Sequence, residues 1–260
     1  MSAVHGVHGV RSAMAGGADW SLQRALTVGY GVVYDYIFDR FAPYQSLSGE
    51  VLACVKAGTP ADTPRRDVRV LDIGCGPGNI TLLLAEAGFS ALGVDPYEPL
   101  IELAREKRRA KQLANVAFQH ADVATGDPRW DGAFDQVVNV HSLYAHPRPV
   151  EVLQLAWRAL KPGGRGVFVN FTRRVPLAAT FQAIRRRDGL GSAMRCLRWV
   201  LPNAIFEAIR RPIGPHYWPE AEFEARLRNA GFTVLDLRRT FFDDVSLLAW
   251  VRKDSDREGG

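Results

Sequence analysis

Three glycines at alternate positions, Gly74, Gly76 and Gly78, separate an apolar run from a helix-forming run, and an aspartate, Asp72, stands just before them. The stretch reads Val70-Leu71-Asp72-Ile73-Gly74-Cys75-Gly76-Pro77-Gly78-Asn79, with a strand expected over Arg69 to Ile73 and a helix over Ile80 to Ala87. Glycines so placed let the backbone turn tightly and bring its N–H groups against a ligand. In open α/β sheets such a turn lies beyond the carboxyl ends of the strands, where nucleoside cofactors sit. The dinucleotide fingerprint G-x-G-x-x-G requires glycine at its sixth position. Here that position is Asn79, and Gly78 comes one residue early. Asp72 would repel a pyrophosphate but could hold an ammonium group. The residues therefore point to a nucleoside carrying a cationic amino-acid tail.

Downstream residues extend the pattern. The apolar strand Ala91 to Val94 ends at Asp95, about 20 residues past the glycine loop, where a carboxylate can accept both ribose hydroxyls. Pro96 and Tyr97 then offer an apolar surface to a base. A third strand, Val116 to Gln119, leads to Asp122 and Val123; a fourth spans Phe134 to Val140; a fifth, Gly166 to Asn170, follows Leu160-Lys161-Pro162-Gly163-Gly164-Arg165. Taken singly, Asp95 is a strand-end carboxylate, Asp122 a helix N-cap and Gly163-Gly164 a turn. Their joint order carries the functional reading.

The run from Val70 to Asn79 resembles motif I of the class I S-adenosylmethionine (SAM)-dependent methyltransferases, hydrophobic-Leu-Asp-hydrophobic-Gly-x-Gly-x-Gly. The resemblance covers Asp67 to Asn170 closely and Pro219 to Lys253 more loosely. It implies SAM as cofactor, held by Asp72, Gly74, Cys75, Gly76, Asp95 and Pro96. It further implies that Asp122 and the Val123 N–H take the adenine amino edge, that the Asn139 backbone touches the cofactor, and that Tyr34 covers it or lines the acceptor pocket. Leu160 to Arg165 matches the family's Leu-Lys/Arg-Pro-Gly-Gly turn. The implied fold is an α/β, Rossmann-like, doubly wound seven-stranded sheet with its last strand antiparallel, N-terminal helices, and a helical lid inserted after strand five.

Methyl transfer is an in-line displacement, so the enzyme holds the acceptor atom in line and dry, with a general base where a proton must leave. Candidates for catalysis follow the fourth strand: His141, whose ordinary pKa near 6.5 suits a base at neutral pH, and Tyr144, with His146 behind them. Each also reads as an ordinary loop or packing residue, as do the tyrosines 30, 34, 36 and 44 of the N-terminal helices.

The elements that position these residues fall into an expected order. Residues 1–19, rich in Gly, Ala, His and Val, read as a disordered arm; 20–66 as a helical cap and linker; 67–171 as the SAM-binding core; 172–219 as a basic lid; 220–253 as a closing helix and strands; 254–260 as a tail. Further helices are expected over Glu98–Gln112, Val150–Ala159 and Glu220–Ala230, and strands over Phe232–Thr240 and Ser246–Arg252. Between Arg173 and Arg211 stand nine arginines against Asp188 and Glu207, a local charge of +7 in a chain whose formal total is +5. Apolar residues such as Phe181, Trp199, Ile205 and Phe206 interleave with them, as in short amphipathic helices. Either the arginines are solvated, or they meet an amphipathic or anionic acceptor or the surface of an anionic membrane.

Three scattered cysteines, Cys54, Cys75 and Cys196, argue for a reducing compartment without disulfides or a metal site. No apolar run approaches the roughly 20 residues of a membrane span. A cytoplasmic enzyme methylating O, N or C of a small organic acceptor is the expectation. The alternatives are a nucleic-acid methyltransferase, disfavoured because Asn139-Val140-His141-Ser142 lacks the Asn/Asp-Pro-Pro-Tyr/Phe loop that holds a flipped base, and a SAM-binding protein without turnover.

Overall fold

The computed structural model describes residues 41–123, 125–173, 181–182, 184–186, 189–194 and 216–255. The expected arm, Tyr34 and its neighbours, most of the basic segment and residues 256–260 lie outside the described residues.

Seven strands form one sheet: β1 (Arg69–Ile73), β2 (Ser90–Asp95), β3 (Val116–His120), β4 (Phe134–Val140), β5 (Leu160–Phe171), β6 (Phe232–Thr240) and β7 (Ser246–Lys253), in the order β3-β2-β1-β4-β5-β7-β6. β1 to β5 pair in parallel, and β7 runs antiparallel to both β5 and β6. The chain winds outward from β1 to β3, then returns to β4 on the other side of β1. That reversal opens a crevice at the carboxyl ends of β1 and β4, the place where doubly wound sheets bind ligands.

Helices α1 (Ala42–Ala57), α2 (Asn79–Glu86), α3 (Glu98–Ala110), α4 (Pro149–Ala159) and α5 (Glu220–Asn229) cover the sheet. Side chains alternate across each strand, so neighbouring residues enter opposite cores. Val70, Val138 and Val167 pack with Leu47, Val51, Leu84 and Ile101 from α1 to α3. Leu71, Val137 and Phe168 pack with Leu153, Phe223 and Leu227 from α4 and α5. Each such fully buried side chain contributes about 1.5–3 kcal/mol relative to exposure, and together they fix the strand ends that carry the site.

The elements match the expected ones with local differences. Leu160–Arg165 is not simply a turn ahead of β5. Leu160 already pairs with Phe134, and the register shifts before Arg165 pairs with Gln136. The Pro-Gly-Gly run is thus a bulge inside a strand of 12 residues, with Gly163 at φ +75°. The helix expected to reach Gln112 ends at Ala110, and Gln112 adopts φ +53°. Within the basic segment, residues 181–182, 184–186 and 189–194 are helical where described. Ile184 and Ala193 are buried there, against Phe41, Phe181 and Phe242. No helix among the described residues is long and apolar enough to cross a membrane.

Candidate active site

The β1–α2 loop is pinned from beneath: the N–H groups of Gly74 and Cys75 both donate to the Val94 carbonyl of β2, at 2.8 and 3.0 Å. The loop's glycines all lie at positive φ. At Gly76 (φ +53°) an added Cβ would meet nothing within 4 Å, because the loop faces open space there. At Gly78 (φ +80°) it would come within 2.7 Å of the Phe118 ring. One glycine thus leaves room for a ligand, and the other lets α2 close on β3.

A cavity of about 290 Å³ opens beyond these strand ends. Asp72, Gly74, Cys75, Gly76, Asp95, Pro96, Asp122, Val123, His141 and Tyr144 all line it. Asp95 is buried at the end of β2; one carboxylate oxygen accepts the Gly76 N–H and the other the Tyr97 N–H, each at 2.9 Å. The same carboxylate therefore braces the glycine loop and faces the cavity. Asp72, 2% exposed, accepts the Thr81 hydroxyl at 2.6 Å. Burial, only partly offset by that bond and reinforced by nearby Asp95, pushes the Asp72 carboxyl up to about 7. Two carboxylates in so dry a site favour a cation opposite them. Burial, with Asp95 and Asp72, also pushes the Cys75 thiol well up. Cys75 is a small neutral filler without nucleophilic character.

On the outer rim, Asp122 accepts Arg148 Nη2 at 2.9 Å, and Arg148 also reaches Glu151 at 3.0 Å. The Arg148 N–H donates to His146 Nδ1 at 3.0 Å, so the His146 proton sits on Nε2, 3.8 Å from Asp122. Burial lowers the His146 pKa, with Asp122 opposing. Val123, 2% exposed, closes the wall behind Asp122.

Asn139 is placed differently from its neighbours. Its side chain is fully buried at the end of β4, donating to the Ile73 carbonyl at 2.9 Å and to Ser142 Oγ at 2.5 Å. It does not line the cavity; it clamps β1 to the loop after β4. His141, two residues on, lies at φ +51°, its N–H donating to the Val169 carbonyl at 2.9 Å. The His141 ring stacks on Phe171 (centroids 3.9 Å, planes 9° apart), and Nε2 meets Ser246 Oγ at 2.9 Å. Burial lowers its pKa to about 3. That removes the reason for reading it as a general base at its ordinary pKa, because an imidazole this reluctant to become charged is a poor proton acceptor.

Tyr144 meets Phe171 edge-on at 5.0 Å, and Tyr44 and Phe241 meet His141 at 6.1 and 4.9 Å. One end of the cavity is therefore backed by aromatic rings. Phe171, Phe241 and Ser246 carry no sequence signal for this role, because they converge from β5, the β6–β7 turn and β7. Tyr34 lies outside the described residues. Among the described residues no cluster of His, Cys, Asp or Glu has metal-binding geometry.

SAM fits this arrangement. The open face at Gly76 leaves room for a ligand against the loop, Asp95 brings a buried carboxylate to the cavity beside it, and buried Asp72 suits a cationic tail.

Residues 64–196 match a family described as "Methyltransferase domain". A demethylmenaquinone methyltransferase from Clavibacter sepedonicus is 33% identical over 221 residues, covering 83% of this chain and 85% of its own. A ubiquinone biosynthesis O-methyltransferase from Acinetobacter baylyi is 24% identical over 192 residues, covering 72% of this chain and 73% of its own. Among solved structures, the 1,6-didemethyltoxoflavin-N1-methyltransferase of Burkholderia thailandensis shares the fold with a TM-score of 0.58 at 20% identity, over 98% of this chain and 94% of that one. A domain match across residues 64–196 and a third of positions shared with a nearly full-length relative establish that the chain belongs to the class I SAM-dependent methyltransferases.

Proposed function

We propose that the acceptor is a hydroxylated planar aromatic compound of quinol type, seated against the wall formed by Tyr44, His141, Tyr144, Phe171 and Phe241. The observation that carries this reading is that wall: His141, Tyr44 and Tyr144 line the cavity, and Phe171 and Phe241 back them. Offset or edge-on aromatic contacts add about 0.5–1.5 kcal/mol each beyond burial, which favours a planar ring over an aliphatic chain. The two quinone-pathway relatives support the same class.

SAM, when bound, supplies an electrophilic methyl group on a sulfonium. In this reading Asp72 faces its ammonium and Asp95 its ribose hydroxyls. The backbone of Gly74, Cys75 and Gly76 carries its tail, and Pro96 and Tyr97 its base. Asp122 and the Val123 N–H meet the adenine amino edge. Asn139 acts through Ile73 and Ser142, by holding the loop. The aromatic wall excludes water and holds the acceptor in line, which supplies much of the barrier reduction in such a displacement.

The +7 charge of residues 172–219 supports an amphipathic or anionic acceptor, taken up at an anionic membrane surface. Co-sedimentation with anionic but not neutral vesicles is the expected result. The reading of the acceptor is tested with methyl-tritiated SAM and a panel of hydroquinones, catechols, aliphatic amines and carboxylic acids. Label is expected in the hydroxylated aromatics; transfer confined to amines or acids would overturn it.

A further inference from the structure

Ser246 opens β7 and is fully buried, paired across the sheet with Phe171 on β5 and Thr240 on β6. Its hydroxyl makes one side-chain hydrogen bond among the described residues, to His141 Nε2 at 2.9 Å. A buried hydroxyl needs an acceptor for its proton. With the His141 proton on Nε2, the ring would donate to Ser246 Oγ, and the hydroxyl proton would have no acceptor. With the ring proton on Nδ1, the hydroxyl donates to the Nε2 lone pair and both groups are satisfied. Nε2 is thereby occupied. Nδ1 is the ring's other nitrogen, on a residue that lines the cavity.

The surroundings of the ring make it a fixed neutral group. It is clamped between Phe171, stacked at 3.9 Å, and Phe241 and Tyr44, which meet it edge-on. From α1, β5, the β6–β7 turn and β7, the only titratable side chain brought against it among the described residues is Tyr44. In serine-protease triads a carboxylate behind the imidazole stabilises the charged ring. Here a neutral hydroxyl stands in that place and gives no such support. Burial, which lowers the ring's pKa to about 3, agrees with this.

We propose that Ser246 fixes His141 as the neutral tautomer protonated on Nδ1, making His141 a hydrogen-bond donor to the acceptor's oxygen and Ser246 its positioning residue. The tautomer stands on geometry alone; the role toward an oxygen rests on the hydroxylated acceptor proposed above. A donor so placed stabilises the ionised acceptor. The acceptor hydroxyl gives its proton to bulk water as it enters the cavity, before the wall excludes solvent, and its lone pair, or the electron-rich ring carbon beside it, forms the new bond to the methyl carbon as the carbon–sulfur bond breaks. S-adenosylhomocysteine leaves with that electron pair; a ring carbon that takes the methyl then loses its own proton to water. A neutral donor does this without adding positive charge beside the sulfonium.

The tautomer is read directly from long-range proton–nitrogen correlations in protein labelled at its six histidines, with His141→Gln to assign the signals. His141 is expected neutral with Nδ1 protonated from pH 6 to 8, shifting toward the Nε2 form in Ser246→Ala and returning in Ser246→Thr. With a phenolic acceptor, Ser246→Ala should lower kcat/KM about tenfold at pH 7 and move its acid limb up by about one pH unit. SAM affinity should hold, and Ser246→Thr should restore most of the rate. An Nε2-protonated or doubly protonated His141 in the wild type overturns the proposal, whatever acceptor is used. So does a pH profile unchanged in Ser246→Ala. If no hydroxylated aromatic is methylated, the acceptor reading and the donor role fail together, while the spectrum still decides the tautomer.

Discussion

Replacing Asp72 with Asn should stabilise the free enzyme and weaken its cofactor binding, both in a pH-dependent way. In an unfolded chain the Asp72 carboxyl titrates near 3.9; in the folded protein burial raises it to about 7. The folded state therefore holds the proton more tightly. The linkage runs opposite to that of an ion-paired aspartate. Below about pH 4 both states are protonated and no penalty exists. Between about 4 and 7 the unfolded chain ionises and the folded one does not, so stability falls as pH rises, and above about 7 the penalty is complete. About three pH units at 1.36 kcal/mol each bound it at roughly 4 kcal/mol. Asparagine keeps an oxygen for the Thr81 hydroxyl and removes the ionisation. At about 2–4 °C per kcal/mol for a domain of this size, Asp72→Asn should melt roughly 10 °C higher than wild type at pH 8. It should gain almost nothing at pH 4.

Binding has the opposite sign. A cationic ligand favours the ionised carboxylate, so wild-type enzyme releases a proton on binding. Its affinity for SAM should fall about tenfold from pH 8 to pH 6, as the free-state carboxyl takes up its proton. Asp72→Asn should bind more weakly at pH 8, with a flat pH dependence. Thermal melts from pH 4 to 9, and calorimetry in buffers of different ionisation enthalpy, measure both. A simple loss of loop bracing would lower stability equally at every pH. That outcome, or proton release unchanged in the variant, would refute the reasoning.

Asp95→Ala leaves the Gly76 and Tyr97 N–H groups without their acceptor and should cost roughly 1–3 kcal/mol of SAM affinity, about 5–150-fold by calorimetry. Gly78→Ala forces a side chain into the left-handed region and against Phe118, and should lower the melting temperature at all pH values with or without ligand. Nicotinamide dinucleotides should give no thermal shift where S-adenosylhomocysteine gives a clear one, because Asn79 stands where their fingerprint requires glycine. Replacing Arg185, Arg186 and Arg187 with Gln should raise the acceptor's KM and flatten its salt dependence, with SAM affinity unchanged; parity with wild type would mark them as solvated surface.

The half of the cavity proposed for the cofactor is nearly collinear with the chain, so sequence alone points to it. Asp72, the three glycines, Asp95 and Asp122 sit at the ends of consecutive strands, so the apolar run that marks each strand also marks where its carboxylate emerges. Even there, position did not give direction. Asn139 stands one residue short of the end of β4, and its amide turns into the protein to hold Ile73 and Ser142. Nothing in the order of residues separates a strand-end side chain that faces ligand from one that clamps the neighbouring strand.

The half proposed for the acceptor follows a different physics. Its wall takes Tyr44 from α1, His141 and Tyr144 from the loop after β4, Phe171 from the end of β5, and Phe241 and Ser246 from either end of the β6–β7 turn. These contacts are made by β7 entering the sheet between β5 and β6, which sets Ser246 beside Phe171 in register. His141 shows the consequence. From sequence it is a histidine with an ordinary pKa after a strand, and a base is the natural reading. Its protonation is instead set by three rings and one hydroxyl up to 105 residues away. A property that depends on burial by other elements cannot be carried by local sequence. This is why one fold keeps its cofactor site constant while the acceptor and its chemistry vary with the residues that close the far end of the cavity.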